Sequence, residues 1–211
     1  IMKVGIVGAG MIVHDFLTFA HEVTGMELVA LCATPAEKEK IVEMCQANNI
    51  KAHYTNIDVM LEDSEVEVVY VAVPNHLHYE MCKKAILAGK HVICEKPIAS
   101  TTEDAKAMAE AAAEAAKKGI VSMNGYQYRR VPAIDEAKKI IESGRLGELT
   151  NIRTQYLQSW SADPSSPLSW RFEKATAGAG TLGDIATHAL DIAQYLAGDI
   201  SEVVSIVKTY I

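Results

Sequence analysis

The chain has only four cysteines, Cys32, Cys45, Cys82 and Cys94, and no two of them stand as CxxC. They fall inside expected strands and helices, so they read as buried, reduced thiols of a cytoplasmic protein rather than as a disulfide framework. Positive charge is also short: Lys and Arg number 20 against 27 Asp and Glu, for a net charge of −7 and a pI near 5.5. That balance argues against nucleic acid or an anionic membrane as the main partner. No apolar run approaches the ~18 residues that a membrane span needs. The apolar start from Val4 to Val13 is broken by Gly5, Gly8 and Gly10, unlike a signal-peptide core. Internal repeats and low-complexity segments are missing too. What remains, 49% hydrophobic and 22% charged over 211 residues, is an ordinary soluble composition. It suffices for one large domain, or for one domain and part of another.

Within that frame strands and helices alternate. Lys3 to Val7 is a β-branched run, Gly8-Ala9-Gly10-Met11-Ile12-Val13 a glycine turn, and the residues through about Glu22 a helical pattern. A dinucleotide fingerprint needs this context: Gly8 permits the tight turn, and Gly10 lets backbone amides approach a pyrophosphate. Val13 stands at the third glycine position, so a generic strand–helix turn is the competing reading. A second strand, Glu27 to Cys32, and a helix from Pro35 to about Ala47 flank Ala33-Thr34. An acid at this tip would hold the ribose of NAD, and an arginine would take the phosphate of NADP. Neither is present; Thr34 could touch a 2′-phosphate, Lys38 reads better as a solvated helix residue, and the choice of cofactor stays open.

A short strand at 52–55 and a helical turn at 58–61 lead to residues 66–73, apolar enough for a strand covered on both faces. At its carboxyl end stands Pro74-Asn75-His76-Leu77-His78. Asn75 suits the N-cap of a helix running to Ala88, and His76 and His78 read as capping or surface groups. The next strand, HVIC at 91–94, stops in Glu95-Lys96-Pro97, because Pro97 cannot donate to a ladder and forces Lys96 extended. Carboxyl ends of strands line the ligand crevice of an open α/β sheet, so Lys96 is placed to act on a substrate. A solvated surface lysine is the alternative. An alanine-rich helix capped at Thr101 or Thr102 and a strand at 120–123 complete a doubly wound parallel sheet.

Beyond residue 124 the pattern changes. A helix is expected at 132–143, strands at 150–160 and 201–211, and a proline- and serine-rich loop at 162–168. Two strands make a marginal sheet, so this second domain, 125–211, reads as incomplete. On the helix from Asp184 to Ala197 an apolar stripe runs through Ile185, Ala189, Ile192 and Leu196. Asp184, His188, Asp191 and Tyr195 form a polar stripe at the same spacing. Asp184 could orient His188 as a base; equally, the two could be an N-cap and a structural histidine.

With Gly8-Ala9-Gly10, Glu95-Lys96-Pro97, Trp170-Arg171 and Asp184-x-x-x-His188 in that order, the chain resembles the glucose–fructose oxidoreductase/inositol dehydrogenase/MocA family over essentially its whole length. The resemblance implies a Rossmann domain over 1–124 and a C-terminal α+β domain with an open, mostly antiparallel sheet. It implies oxidation or reduction of a sugar or polyol, inositol-like or pyranose, with NAD or NADP. Lys96, Asp184 and His188 would surround the reacting carbon. His188 would accept the hydroxyl proton, Lys96 would stabilise the alkoxide, and Asp184 would position His188, with no metal required. The cofactor contacts expected at strand ends and motifs are Gly8, Gly10, Met11, Ile12, Thr34 and Pro74, with Asn75, His78, Glu95, Lys96, Trp170 and Arg171. Homo-oligomerisation through the C-terminal sheet is also expected. The family includes glycosidases that use tightly held NAD and non-catalytic dinucleotide sensors, and both stay as alternatives.

Overall fold

A computed structural model describes residues 1–159, 162–163 and 165–208. Its first unit comprises 1–125 together with 167–184, and its second comprises 126–166 and 185–211. The first is built on a six-stranded parallel sheet of order β3-β2-β1-β4-β5-β6. The strands are β1 (Met2–Val7), β2 (Met26–Cys32), β3 (Ala52–Tyr54), β4 (Val68–Val71), β5 (His91–Cys94) and β6 (Ser122–Asn124). The doubly wound sheet expected from the alternating pattern is the one observed.

β4 explains why. Its four residues are all buried, and they alternate between two cores. Val68 and Tyr70 pack with Val13, Leu17 and Ile41 on one face, while Val69 and Val71 pack with Met60, Cys82 and Ala85 on the other. Each fully buried aliphatic side chain contributes about 1.5–3 kcal/mol. The covering helices supply matching stripes. In α1 (Met11–Ala20) the buried residues are Val13, Leu17 and Ala20; in α2 (Lys38–Ala47) they are Ile41 and Cys45. A short α3 spans Ile57–Glu62, capped by the Asn56 side chain, which accepts from the Asp58 amide at 2.8 Å. In α4 (His78–Leu87) the stripe is His78, Cys82 and Ala85, and α5 (Thr102–Ala116) buries Met108 and Ala115.

His78 is therefore not the surface or capping group that its neighbourhood suggests. It sits one turn before Cys82 on the inward face of α4 and is 0% exposed. Asn75 is buried too, and no cap bond from its side chain is formed at the helix entry.

In the second unit, α6 (Pro132–Glu142) and α8 (Thr187–Ala197) pack together. The buried residues of α8 are His188 and Asp191, so the polar stripe, not the apolar one, is the inward one. Burial of such groups is tolerated where they are partnered. Asp191 accepts from the Arg129 guanidinium at 2.9 Å and 2.5 Å, an arrangement that holds Arg129 above its ordinary range. A short α7 spans Lys174–Ala177, and a π-helical turn, Leu182–Ala186, runs directly into α8. Asp184 thus lies in a wider turn than the regular α spacing assumed for it.

The strands expected at 150–160 and 201–211 do not form among the described residues; Trp160 and 209–211 lie outside these. A strand is defined by the ladder it shares, and neither stretch has a partner strand here. Leu157, Val204 and Ile206 accordingly stand exposed, at 77%, 99% and 97%.

One contact of the central pair is stringent. Gly8, at φ +124°, lies so close to β4's continuation that an added β-carbon would fall 2.3 Å from the Ala72 carbonyl oxygen. Gly10 has open space around the same position. Gly8→Ala should therefore cost about 1–3 kcal/mol in urea unfolding. Gly10→Ala should stay within about 1 kcal/mol of the parent. Equal midpoints for the two variants would contradict this account of the turn.

Candidate active site

The parallel order reverses at β1, so the loops after β1 and β4 diverge and leave a crevice at their carboxyl ends. A cavity of about 760 Å³ opens there, entirely within the first unit. Of the expected cofactor contacts, Gly8, Gly10, Met11 and Ile12 line it from the glycine turn. Thr34, Pro74, Trp170 and Arg171 line it from the β2, β4 and 167–184 sides. Asn75, His78, Glu95 and Lys96 are not among its lining residues.

A dinucleotide fits this cradle by two observations. The space beside Gly10 is open where any side chain would project, and α1, ten residues long, begins directly after it. Unpaired amides at a helix start suit a pyrophosphate. An acid, Glu37, stands three residues beyond Thr34. Glu37 lines the cavity and accepts from the Thr34 hydroxyl at 2.7 Å and from the Thr34 amide at 3.3 Å. This capping box folds the carboxylate back to the β2 tip. Thr-x-x-Glu was its signal in the sequence. Cys32 also lines the cavity, and burial pushes its thiol up to about 11.

At the tip of β5, successive groups are held by buried partners. Tyr70 donates its hydroxyl to Glu95 Oε1 at 2.8 Å; burial foremost, and then the Glu95 charge, hold that phenol above its ordinary range. Asn124 Nδ2 donates to the carbonyls of Cys94 and Glu95 at 3.1 and 3.2 Å. Lys96 Nζ donates to Asp184 Oδ1 at 2.8 Å and to the Asp184 carbonyl at 2.9 Å, both side chains being 15% exposed. Arg171 Nε lies 3.2 Å from Asp184 Oδ2, and its guanidinium stacks 4.7 Å from the Trp170 ring centroid. Lys96, Asp184 and Arg171 thus form one ion cluster, with Asp184 shared between two cations. Lys96 is no solvated surface lysine. Two of its three N–H donors face Asp184, which leaves one for a ligand oxygen.

His188, in the second unit, is buried against an aromatic wall. The rings of Tyr128, Tyr156 and Tyr126 meet it edge-on at 4.7, 5.8 and 6.1 Å between centroids. The Tyr128 and Tyr156 hydroxyls share a hydrogen bond of 2.8 Å, and the Tyr126 hydroxyl lies 2.6 Å from Thr187 Oγ1. Sequence reasoning missed these tyrosines. Gly-Tyr-Gln-Tyr after β6 places two of them within three residues, the one signal available.

Comparison with known proteins agrees with this architecture. Residues 2–124 match the model described as "Oxidoreductase family, NAD-binding Rossmann fold", and 134–211 match the GFO/IDH/MocA C-terminal domain. Levoglucosan dehydrogenase of Pseudarthrobacter phenanthrenivorans is 52% identical over 152 residues, covering 72% of this chain and 38% of that protein. The 1,5-anhydro-D-fructose reductase of Ensifer adhaerens is 34% identical over 195 residues, covering 92% of this chain and 56% of that one. A solved levoglucosan dehydrogenase in complex with NADH and levoglucosan superposes with a TM-score of 0.84 at 41% identity, over 94% of this chain and 54% of the other. The chain spans roughly half the length of these relatives, or less.

The ion cluster makes a prediction independent of any ligand. Asp184→Asn should lower stability by about 1–3 kcal/mol, because it strands two poorly hydrated cations. In a Lys96→Met background the same substitution should cost clearly less. Chemical denaturation of the four proteins measures the coupling, and strictly additive losses would remove the Lys96–Asp184 contact from the solution structure.

Proposed function

The chain belongs to the Gfo/Idh/MocA oxidoreductase family, and from that premise we propose that the whole protein is a dehydrogenase that oxidises a ring hydroxyl of a pyranose-type sugar with NAD. The observation that carries this reading is the Lys96 ammonium, fixed against Asp184 at a strand tip and with a donor to spare. Bound NAD supplies the hydride acceptor. Lys96 donates to the substrate oxygen and stabilises negative charge as it develops there. Asp184 keeps Lys96 aimed through its carboxylate and its carbonyl. His188, four residues further along the chain, takes the hydroxyl proton; its tyrosine surroundings hold the ring in one orientation. This differs from the simplest reading of an Asp-x-x-x-His pair, since the Asp184 oxygens already face Lys96 and Arg171.

Two of the relatives are named for anhydro sugars, levoglucosan and 1,5-anhydro-D-fructose. Anhydro-pyranoses are therefore the first substrates to test. A panel of these, free pyranoses and inositols, followed at the absorbance of reduced nicotinamide, decides the reaction. Dinucleotide binding without turnover would identify a sensor, and sugar cleavage without net reduction would identify a glycosidase. Lys96→Met should keep dinucleotide affinity and lower kcat by on the order of 10². Turnover at the parental rate would return Lys96 to a purely structural role.

Glu37 supports NAD over NADP. A carboxylate on the β2 side of the crevice accepts from ribose hydroxyls and repels a 2′-phosphate. Glu37→Gln keeps an acceptor for Thr34 but removes the charge. NADPH should then bind about fivefold or more tighter relative to NADH than in the parent. An unchanged ratio in fluorescence titration would mean that another group sets the preference.

A further inference from the structure

His78 is a fully buried histidine that neither lines the cavity itself nor belongs to the Lys96 ion cluster. Its ring nevertheless bridges two loops that build the site. Nδ1 lies 2.7 Å from the Pro97 carbonyl oxygen, and Nε2 lies 2.9 Å from the Val73 carbonyl oxygen. Val73 belongs to the cavity wall after β4, and Pro97 directly follows Lys96. A packing role alone would suit the aliphatic residue that this stripe position otherwise calls for. A histidine here has instead two acceptors at hydrogen-bond distance.

The other anchors of the β5 tip leave a gap that this contact fills. Asn124 holds the carbonyls of Cys94 and Glu95, and the Gly125 amide also donates to Cys94 at 2.7 Å. All of these act before Lys96. Beyond it, the His78 ring holds the next carbonyl, that of Pro97. Proline has no N–H, so the chain after Lys96 cannot be tied down through the Pro97 amide. A carbonyl acceptor is what remains.

We propose that His78 is a positioning residue for Lys96: it donates from Nδ1 to the Pro97 carbonyl and thereby fixes the backbone from which the ammonium projects toward Asp184. Burial holds the ring below the ordinary histidine range, against the opposing pull of the two carbonyls and of the Glu95 charge. Donation to Pro97 needs a proton on Nδ1, the nitrogen with the shorter contact. The clamp acts on Lys96 whatever reaction follows. Its consequence for kcat rests on the dehydrogenase reading above.

Two substitutions separate the two contacts. In His78→Asn the amide nitrogen stands the same number of bonds from the backbone as Nδ1, so the variant can still donate to Pro97. In His78→Gln it stands at the distance of Nε2 and can reach Val73 only. The first readout needs neither cofactor nor sugar: the rate at which Lys96 is acylated by acetic anhydride, mapped by mass spectrometry on the folded chain. The Gln variant should label Lys96 several-fold faster than the parent, and the Asn variant at close to the parental rate. In the whole protein the Gln variant should lose kcat on the order of tenfold or more, with dinucleotide affinity unchanged. The Asn variant should keep most of it.

A purely structural role would lower the melting temperature of both variants and leave the labelling of Lys96 alike in the two. That outcome overturns the proposal. So does equal acceleration in both. Should the Gln variant not fold, the parent decides the matter: ring nitrogen resonances of His78 must show the proton on Nδ1, and a proton on Nε2 alone overturns the proposal. If no sugar is oxidised by the parent, the functional reading falls, while the labelling and resonance experiments still judge the clamp.

Discussion

The pairing of β1 with β4, Val4 through Val7 against Val68 through Val71, is the contact from which the rest of the first unit follows. It brings together two strands that are far apart in sequence, and it puts the sheet's change of direction at their carboxyl ends. The Ala72 amide extends the pairing by donating to the Val7 carbonyl at 2.8 Å. One residue further, the backbones run so close that only a residue without a β-carbon fits at position 8. The glycine turn, the start of α1 and the cavity wall after β4 are all placed by this approach. A cradle for a dinucleotide is thus a by-product of how two buried strands end.

The ionic chemistry is built one strand further along, at β5. Here the constraint is desolvation. Lys96 and Asp184 are mostly shielded from water, and their 2.8 Å contact offsets the cost of taking both out of it. Arg171 makes the cluster net positive around a single carboxylate. Such a cluster suits an oxygen that gains negative charge. It also fixes residues 167–184, which are remote in sequence from the sheet, to the edge of the cavity.

Much of this was legible in the sequence. The apolar run at 66–73 announced a strand covered on both faces, and Glu95-Lys96-Pro97 announced a strand tip bearing an ammonium. What escaped had a common cause. His78 looked like a capping or surface group because it stands at a helix start after Pro74-Asn75, yet its spacing to Cys82 and Ala85 is that of an inward stripe. Asp191 read only as one member of a polar stripe, and the Arg129 guanidinium, distant in sequence, is what compensates its burial. Glu37 was passed over because it lies beyond the expected tip, and a capping box folds it back. In each case a long-range or cap contact overrode the local preference of the residue. The strands expected at 150–160 and 201–211 failed differently. Period-two alternation identifies a stretch able to pair, but says nothing of whether a partner is present.

The four thiols offer a practical opening. All are buried and unpaired with one another as disulfides, and the shifts of Cys32, Cys45 and Cys94 are upward. At neutral pH those three present little thiolate to a bulky reagent, and Cys82 is shielded by burial. A single cysteine introduced on an exposed helix face, at Glu110 on α5 for example, would then take a fluorophore or spin label selectively, with every native sulfur left in place. Such a probe would report binding and unfolding without disturbing the thiols of the core.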